Sequence, residues 1–137
     1  MPSFSKNSLE HLATCHPDLQ TLFNEVIKYF DCTVTEGFRD KAAQDEAYAT
    51  GHSKVKWPNG KHNHNPSLAA DVYPYPIDFN NTKLALWFGG FVQGMAIMLK
   101  EQGKITHDIR WGGAWNGLGK LNTSGMLDDT GHFEIQA

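Results

Sequence analysis

Within His62-Asn63-His64-Asn65-Pro66-Ser67-Leu68-Ala69-Ala70-Asp71, two imidazoles and a carboxylate flank a short turn-prone segment. Imidazole nitrogen and carboxylate oxygen are both good ligands for first-row metals, and a zinc ion that keeps one position for water takes three such groups from the protein. Two of the three can come from this stretch. Pro66 and Ser67 turn the chain between His64 and Asp71, seven residues apart, so a turn followed by a strand can aim both side chains at one point. Near the other end, Asp129-Thr130-Gly131-His132 supplies another imidazole with a carboxylate three residues before it. His64, Asp71 and His132 thus make a three-ligand set, with Asp129 left over as a base. Spacing alone balances that reading against a bland one. Seven histidines in 137 residues pair easily by chance, Asp71 can serve a backbone amide, and Asp129 can be a turn residue.

The elements that must position these groups follow from periodicity. Leu19, Leu22, Phe23, Val26, Ile27 and Phe30 recur at three- and four-residue steps, which predicts a core-facing helix from His16 to Phe30 with Pro17 in its first turn. A shorter helical turn precedes it, beginning at Asn7 or Ser8, with Leu9 and Leu12 facing inward. Cys32-Thr33-Val34-Thr35 alternates and is β-branched, so it reads as a strand that delivers Glu36-Gly37-Phe38-Arg39 at its end. Asp40 caps a helix from Lys41 to about Thr50, and Gly51 ends it. His52 to Pro66 reads as a polar surface loop, and Leu68 to Tyr73 as a strand carrying Asp71, stopped by Pro74-Tyr75-Pro76. Thr82 caps a second long helix that runs to about Gln102, with Leu84, Trp87, Phe88, Phe91, Met95, Met98 and Leu99 on its buried face. Ile109-Arg110-Trp111 is a strand leading into a glycine-rich loop, Gly112 to Gly125, and His132-Phe133-Glu134-Ile135 is a half-buried strand. Helices followed by late strands point to an α+β domain: one small, mostly antiparallel sheet with helices packed on it.

Composition narrows the field. A chain of 137 residues is the size of one domain, and a 40% apolar fraction with mixed charges predicts a globular fold. The net charge of -3 offers no basic field for nucleic acid or an anionic membrane. Cys15 and Cys32 are too few for a disulfide framework and read as buried free thiols. Met1 to Asn7 contains no apolar targeting stretch, and no run of eighteen consecutive apolar residues predicts stable membrane insertion.

The pattern of His64 with Asp71 seven residues on, Asp129-x-x-His132 near the C-terminus and Gly37-Phe38-Arg39 upstream resembles the zinc peptidases of the D-alanyl-D-alanine carboxypeptidase and dipeptidase family. It is similar above all to their small phage endolysins, which cleave L-alanyl-D-glutamate bonds in peptidoglycan. The resemblance covers most of the chain, including Gln44 five residues after Arg39 and the segment Trp111-Gly112-Gly113-x-Trp115. The family often has Ser-x-His before the first ligand and glycine three residues after it; His62 and Ser67 stand in those places here.

That resemblance implies a D,D-peptidase-like fold of the hedgehog type with zinc at the sheet. His64, Asp71 and His132 are its ligands, His64 being selected over His62 by the family spacing. Asp129 is then the base and Arg39 the oxyanion partner, while Gln44, His62 and Trp111 face the substrate. Glu134, on the strand face of His132, is a second candidate for the base or a group that orients a ligand. The expected partner is peptidoglycan, met by a monomer made in the host cytoplasm and released to the wall by a separate membrane-permeabilising factor. A D,D-carboxypeptidase or dipeptidase is the enzymatic alternative, and a non-catalytic zinc-containing binding module the other. Retention of Asp129 and Arg39 counts against the latter.

Overall fold

The computed structural model describes residues 2–122 and 129–136. The last part of the expected glycine-rich loop, 123–125, lies outside them. Four helices and four strands run in the order α1 (Lys6–Ala13), α2 (Pro17–Val26), β1 (Cys32–Glu36), α3 (Lys41–Ala49), β2 (Ala69–Pro74), α4 (Thr82–Glu101), β3 (Asp108–Trp111) and β4 (His132–Gln136), with a 3-10 turn at Lys61–Asn63 before β2. The strands form one antiparallel sheet in the order β1-β2-β4-β3. This is the α+β class expected.

Each helix begins where a side chain can satisfy its free amides. Ser5 caps α1, Asp40 caps α3 and Asn81, rather than Thr82, caps α4. His16 caps α2 by accepting the Asp18 amide through Nδ1, with Pro17 in the first turn. The regular part of α2 stops at Val26, four residues short of the expected Phe30. Ser8, not Leu9, faces inward from α1, because its hydroxyl accepts the buried Val34 amide at 3.1 Å and ties α1 to β1.

The core lies between the sheet and the helices: Leu19, Leu22, Phe23 and Val26 of α2 and Phe88, Val92, Ala96 and Leu99 of α4 meet Val34, Val72, Phe133 and Ile135. Trp87 and Met98, expected on the buried face of α4, are instead exposed, Trp87 by 70%. The apolar residues surround α4 rather than forming one stripe, and only the Phe88 side reaches the sheet. On length and composition alone α4 could cross a membrane, yet one face of it is packed in this core. Cys15 and Cys32 are free and buried, and burial pushes both thiols up to about 12, so neither is a ready nucleophile.

Two further contacts stiffen the frame. Asp18 is buried and its Oδ2 accepts from the Thr106 and His107 amides, the Thr106 hydroxyl and His107 Nδ1. Burial raises its pKa, but these donors, His107 foremost, more than offset that and leave it below the ordinary value. α2 is thereby pinned to the entrance of β3. Gly89 lets α4 close on the Trp111 indole, whose ring atoms lie where a β-carbon would stand; Gly90 and Gly94 meet nothing. Gly89→Ala should therefore destabilise the protein by about 1–3 kcal/mol through overpacking, whereas Gly90→Ala and Gly94→Ala should each stabilise it by about 0.5–1 kcal/mol. Urea unfolding of the three variants measures the contrast.

Candidate metal centre

Sheet register builds the site before any side chain is considered. Across three neighbouring strands Glu36 pairs with Asp71, and Asp71 with His132. These three residues form one row on the sheet face opposite the core. In the next row Glu134 of β4 lies between Ala69 of β2 and Arg110 of β3. Strand alternation thus sends Val72 and Phe133 to the core and Asp71, His132 and Glu134 to the site.

The third member of the cluster comes from the loop. The 3-10 turn places His62 over the row, held by Arg39 N–H donating to the His62 carbonyl at 2.8 Å and by Asn63 donating to the Arg39 carbonyl at 3.1 Å. His62 Nδ1 lies 2.7 Å from the Gly37 carbonyl, which only accepts, so Nδ1 carries the proton and Nε2 faces Asp71 Oδ1 at 3.2 Å. His132 has the same arrangement reversed. Its Nε2 lies 2.9 Å from Glu134 Oε1, and Nδ1 faces the same Asp71 oxygen at 3.3 Å. Backbone carbonyl and carboxylate are the usual partners that orient metal-bound imidazoles.

Two ring nitrogens facing one carboxylate oxygen in this way are held together by positive charge, supplied either by protons on the rings or by a cation between them. The His62, Asp71 and His132 ligand atoms all lie within 4.8 Å of one another. Bonds of about 2.0–2.1 Å in a tetrahedral zinc site put ligand atoms roughly 3.3 Å apart, which fits the 3.2 and 3.3 Å separations from Asp71. The field favours positive charge. Burial alone lowers His132, but Asp71 and Glu134 reverse it and raise the imidazole to about 9. Burial likewise raises Asp71, yet His132 and His62 bring its carboxyl far below the usual range.

His64, the expected ligand, stands outside this group and is exposed. Leu68 N–H donates to the Lys61 carbonyl, closing a loop over 62–67, while Ser67 is fixed between the Thr14 carbonyl and the His16 amide. His64 rides at the tip of that loop and His62 at its base. The imidazole grouped with Asp71 is therefore nine residues before it on the chain rather than the expected seven.

Gln44 and Trp111, expected to face substrate, are both 1% exposed. Gln44 Oε1 accepts from Arg39 Nη1 and Asn63 Nδ2, and its Nε2 donates to the Ser53 hydroxyl and the Val55 carbonyl. It locks the loop to Arg39. Trp111 points to the core, stacked on Phe133, with its indole N–H donating to the Thr130 carbonyl. One residue of strand alternation explains the difference, since Arg110 takes the site face instead. Arg39 does reach the site: Glu36 holds it by two hydrogen bonds, Gln44 by a third, and Nη2 lies 3.9 Å from Asp71 Oδ2. Asp129 adjoins through Trp115, whose indole nitrogen is 3.4 Å from Asp129 Oδ2 and whose ring is 5.7 Å from that of His132. Gly112 lets the chain pass against the Asp129 backbone. Lys61, in the 3-10 turn, and Arg110, in β3, flank Glu134 at 3.9 and 3.8 Å, and neither stood out in the sequence.

A second grouping among the described residues, His16, Asp18 and His107, has a different chemistry. The His16 Nδ1 lone pair is consumed by the helix cap, and Asp18 Oδ2 already accepts four donors. It is a structural clasp.

Comparison with known proteins agrees with this architecture. The Serratia marcescens L-Ala D-Glu endopeptidase ChiX shares the fold, with a TM-score of 0.71 and 24% identity over 98% of this chain and 90% of that one. The family model for phage L-alanyl-D-glutamate peptidase matches residues 2–136, and the chain belongs to that family. It is 30% identical, over 96% of both chains, to the L-alanyl-D-glutamate peptidase of Escherichia phage T5.

The hydrogen bonds of Gln44 define a test of its role. Gln44→Ala strands donors on Arg39 and Asn63 and should cost about 2–4 kcal/mol in urea unfolding. Unchanged stability with a raised KM alone would return Gln44 to the substrate.

Proposed function

We propose that this chain is a zinc peptidase that hydrolyses the L-alanyl-D-glutamate bond of peptidoglycan stem peptides, serving a phage in host lysis. The observation that carries the reading is the convergence of two oriented imidazoles on one oxygen of Asp71. The family, and the activity named for the T5 and Serratia proteins, supply the substrate class.

His62 Nε2, Asp71 Oδ1 and His132 Nδ1 are the proposed ligands. Zinc held there supplies Lewis acidity toward water and toward the scissile carbonyl. Asp129 accepts a proton from the attacking water and passes it to the departing glutamyl nitrogen, so the amide C–N bond breaks to a carboxylate and an amine. Arg39 uses three of its five N–H groups on Glu36 and Gln44. The remaining Nη protons stabilise charge as it develops on the carbonyl oxygen, at a position held by those partners. Glu134, hydrogen-bonded to His132, keeps the ring in the ligating tautomer and is not the base. The protein acts as a monomer and reaches the wall after a separate factor permeabilises the membrane.

Mass spectrometry of digested peptidoglycan tests the assignment. New fragments should end in L-alanine and begin with D-glutamate, disappear with chelator and return with added zinc; release of D-alanine, or cleavage that survives chelation, would contradict it. Asp129→Ala should keep its zinc and its melting temperature while turnover falls by about 10²–10⁴-fold.

A further inference from the structure

Three cations approach the carboxylates of the site: Arg39 at Asp71, and Lys61 and Arg110 at Glu134. Two are committed. Arg39 donates three hydrogen bonds to Glu36 and Gln44, which aim its remaining N–H groups at the Asp71 side, and Lys61 donates to the Ile135 carbonyl at 2.7 Å. Arg110 differs. Among the described residues its guanidinium makes no hydrogen bond, its contact with Glu134 Oε2 is a loose 3.8 Å, and its side chain is 39% exposed. Glu134 itself is more closely engaged with His132 at 2.9 Å.

The Arg110 guanidinium lies 4.9 Å from the centre of the Trp115 ring. Stacking of this kind fixes the guanidinium while leaving its in-plane N–H groups for a planar anion. A cleft of about 270 Å³ opens beside it, lined by Arg110, Ala114, Trp115, Leu118, Ile97 and Gln136. Asp108 also lines it, with its carboxylate held by Lys100 at 2.8 Å. Trp115 belongs to both places, since it borders the cleft and its ring is 5.7 Å from that of His132. Arg110 is paired across the ladder with Glu134, two residues beyond His132, so the cleft begins one strand away from the metal centre.

We infer that Arg110 and this cleft form a carboxylate subsite for the glutamyl residue on the leaving side of the scissile bond; the inference rests on the peptidase reading above. The chemistry of the substrate selects the side. A glutamate whose nitrogen departs carries an α-carboxyl on the next carbon, a few ångströms from the reacting centre, and that group is ionised wherever the peptide continues through the γ-carboxyl. The alanyl side chain offers only a methyl group, which has no use for a guanidinium. Bidentate pairing with Arg110 would displace only the loose Glu134 contact.

The probes are L-alanyl-γ-D-glutamyl-L-lysine and its α-carboxamide analogue, compared as kcat/KM with the zinc-loaded protein. Wild type should favour the free carboxylate by about 10–100-fold, chiefly through KM. Arg110→Gln should bring the ratio near one, and Arg110→Lys, which keeps the charge without the fork, should fall between. A calorimetric titration of metal-free protein with γ-D-glutamyl-L-lysine and its α-amide gives an activity-independent readout, with the same loss of preference in Arg110→Gln. A preference that survives in Arg110→Gln, or equal losses on both peptides, would overturn the subsite and leave the peptidase reading standing. Cleavage of neither peptide by wild type would overturn both.

Discussion

The site depends on a single carboxylate oxygen shared by two imidazoles. Asp71 Oδ1 lies 3.2 Å from His62 and 3.3 Å from His132, and each ring has its other nitrogen bound to a group that can only accept a proton. Facing lone pairs repel unless positive charge intervenes. The surroundings can be read as ways of holding that arrangement together. Backbone register supplies Asp71 and His132 side by side, Gly37 and Glu134 set the two tautomers, and Arg39 balances the far side of the carboxylate.

His62 is the most demanding part of this construction because it comes from a loop, not from the sheet. Its position follows from a chain of side-chain and backbone bonds: Gln44 grips Asn63 and Arg39, Asn63 closes the turn on Gly60, and the Arg39 amide holds the His62 carbonyl. A buried glutamine with all its hydrogen-bonding groups used is costly to disturb, and that cost is what makes a loop residue as well placed as a strand residue. The same network explains why Gln44, expected from the family resemblance to face substrate, is buried with every polar group engaged. It acts on the site only through its neighbours.

What was legible in the sequence followed physical periodicity. The α+β class, the α3 cap at Asp40 and the strand bearing Asp71 came from spacing and turn chemistry, and Asp71 and His132 were recognisable because strands present alternate residues to one face. Which of His62 and His64 lies beside Asp71 was not legible, because it turns on where a six-residue loop is pinched off by the Lys61–Leu68 bond. That Arg110 rather than Trp111 takes the site face has a related reason. In a strand of four residues the phase of alternation is set by the partner β4, which matches Trp111 to Phe133 and Arg110 to Glu134. On α4, apolar residues all round the helix concealed which face would be covered, and Gly89 against Trp111 decided it.

Which histidine binds the ion decides the identity of the centre. Zinc titration of the metal-free protein, with X-ray absorption at the zinc edge, should find one ion per chain with two imidazoles and a carboxylate oxygen. His62→Ala should lose one imidazole and weaken binding by orders of magnitude, while His64→Ala should match wild type in both spectrum and affinity. Loss of the ion in His64→Ala, with binding intact in His62→Ala, would contradict the centre described here.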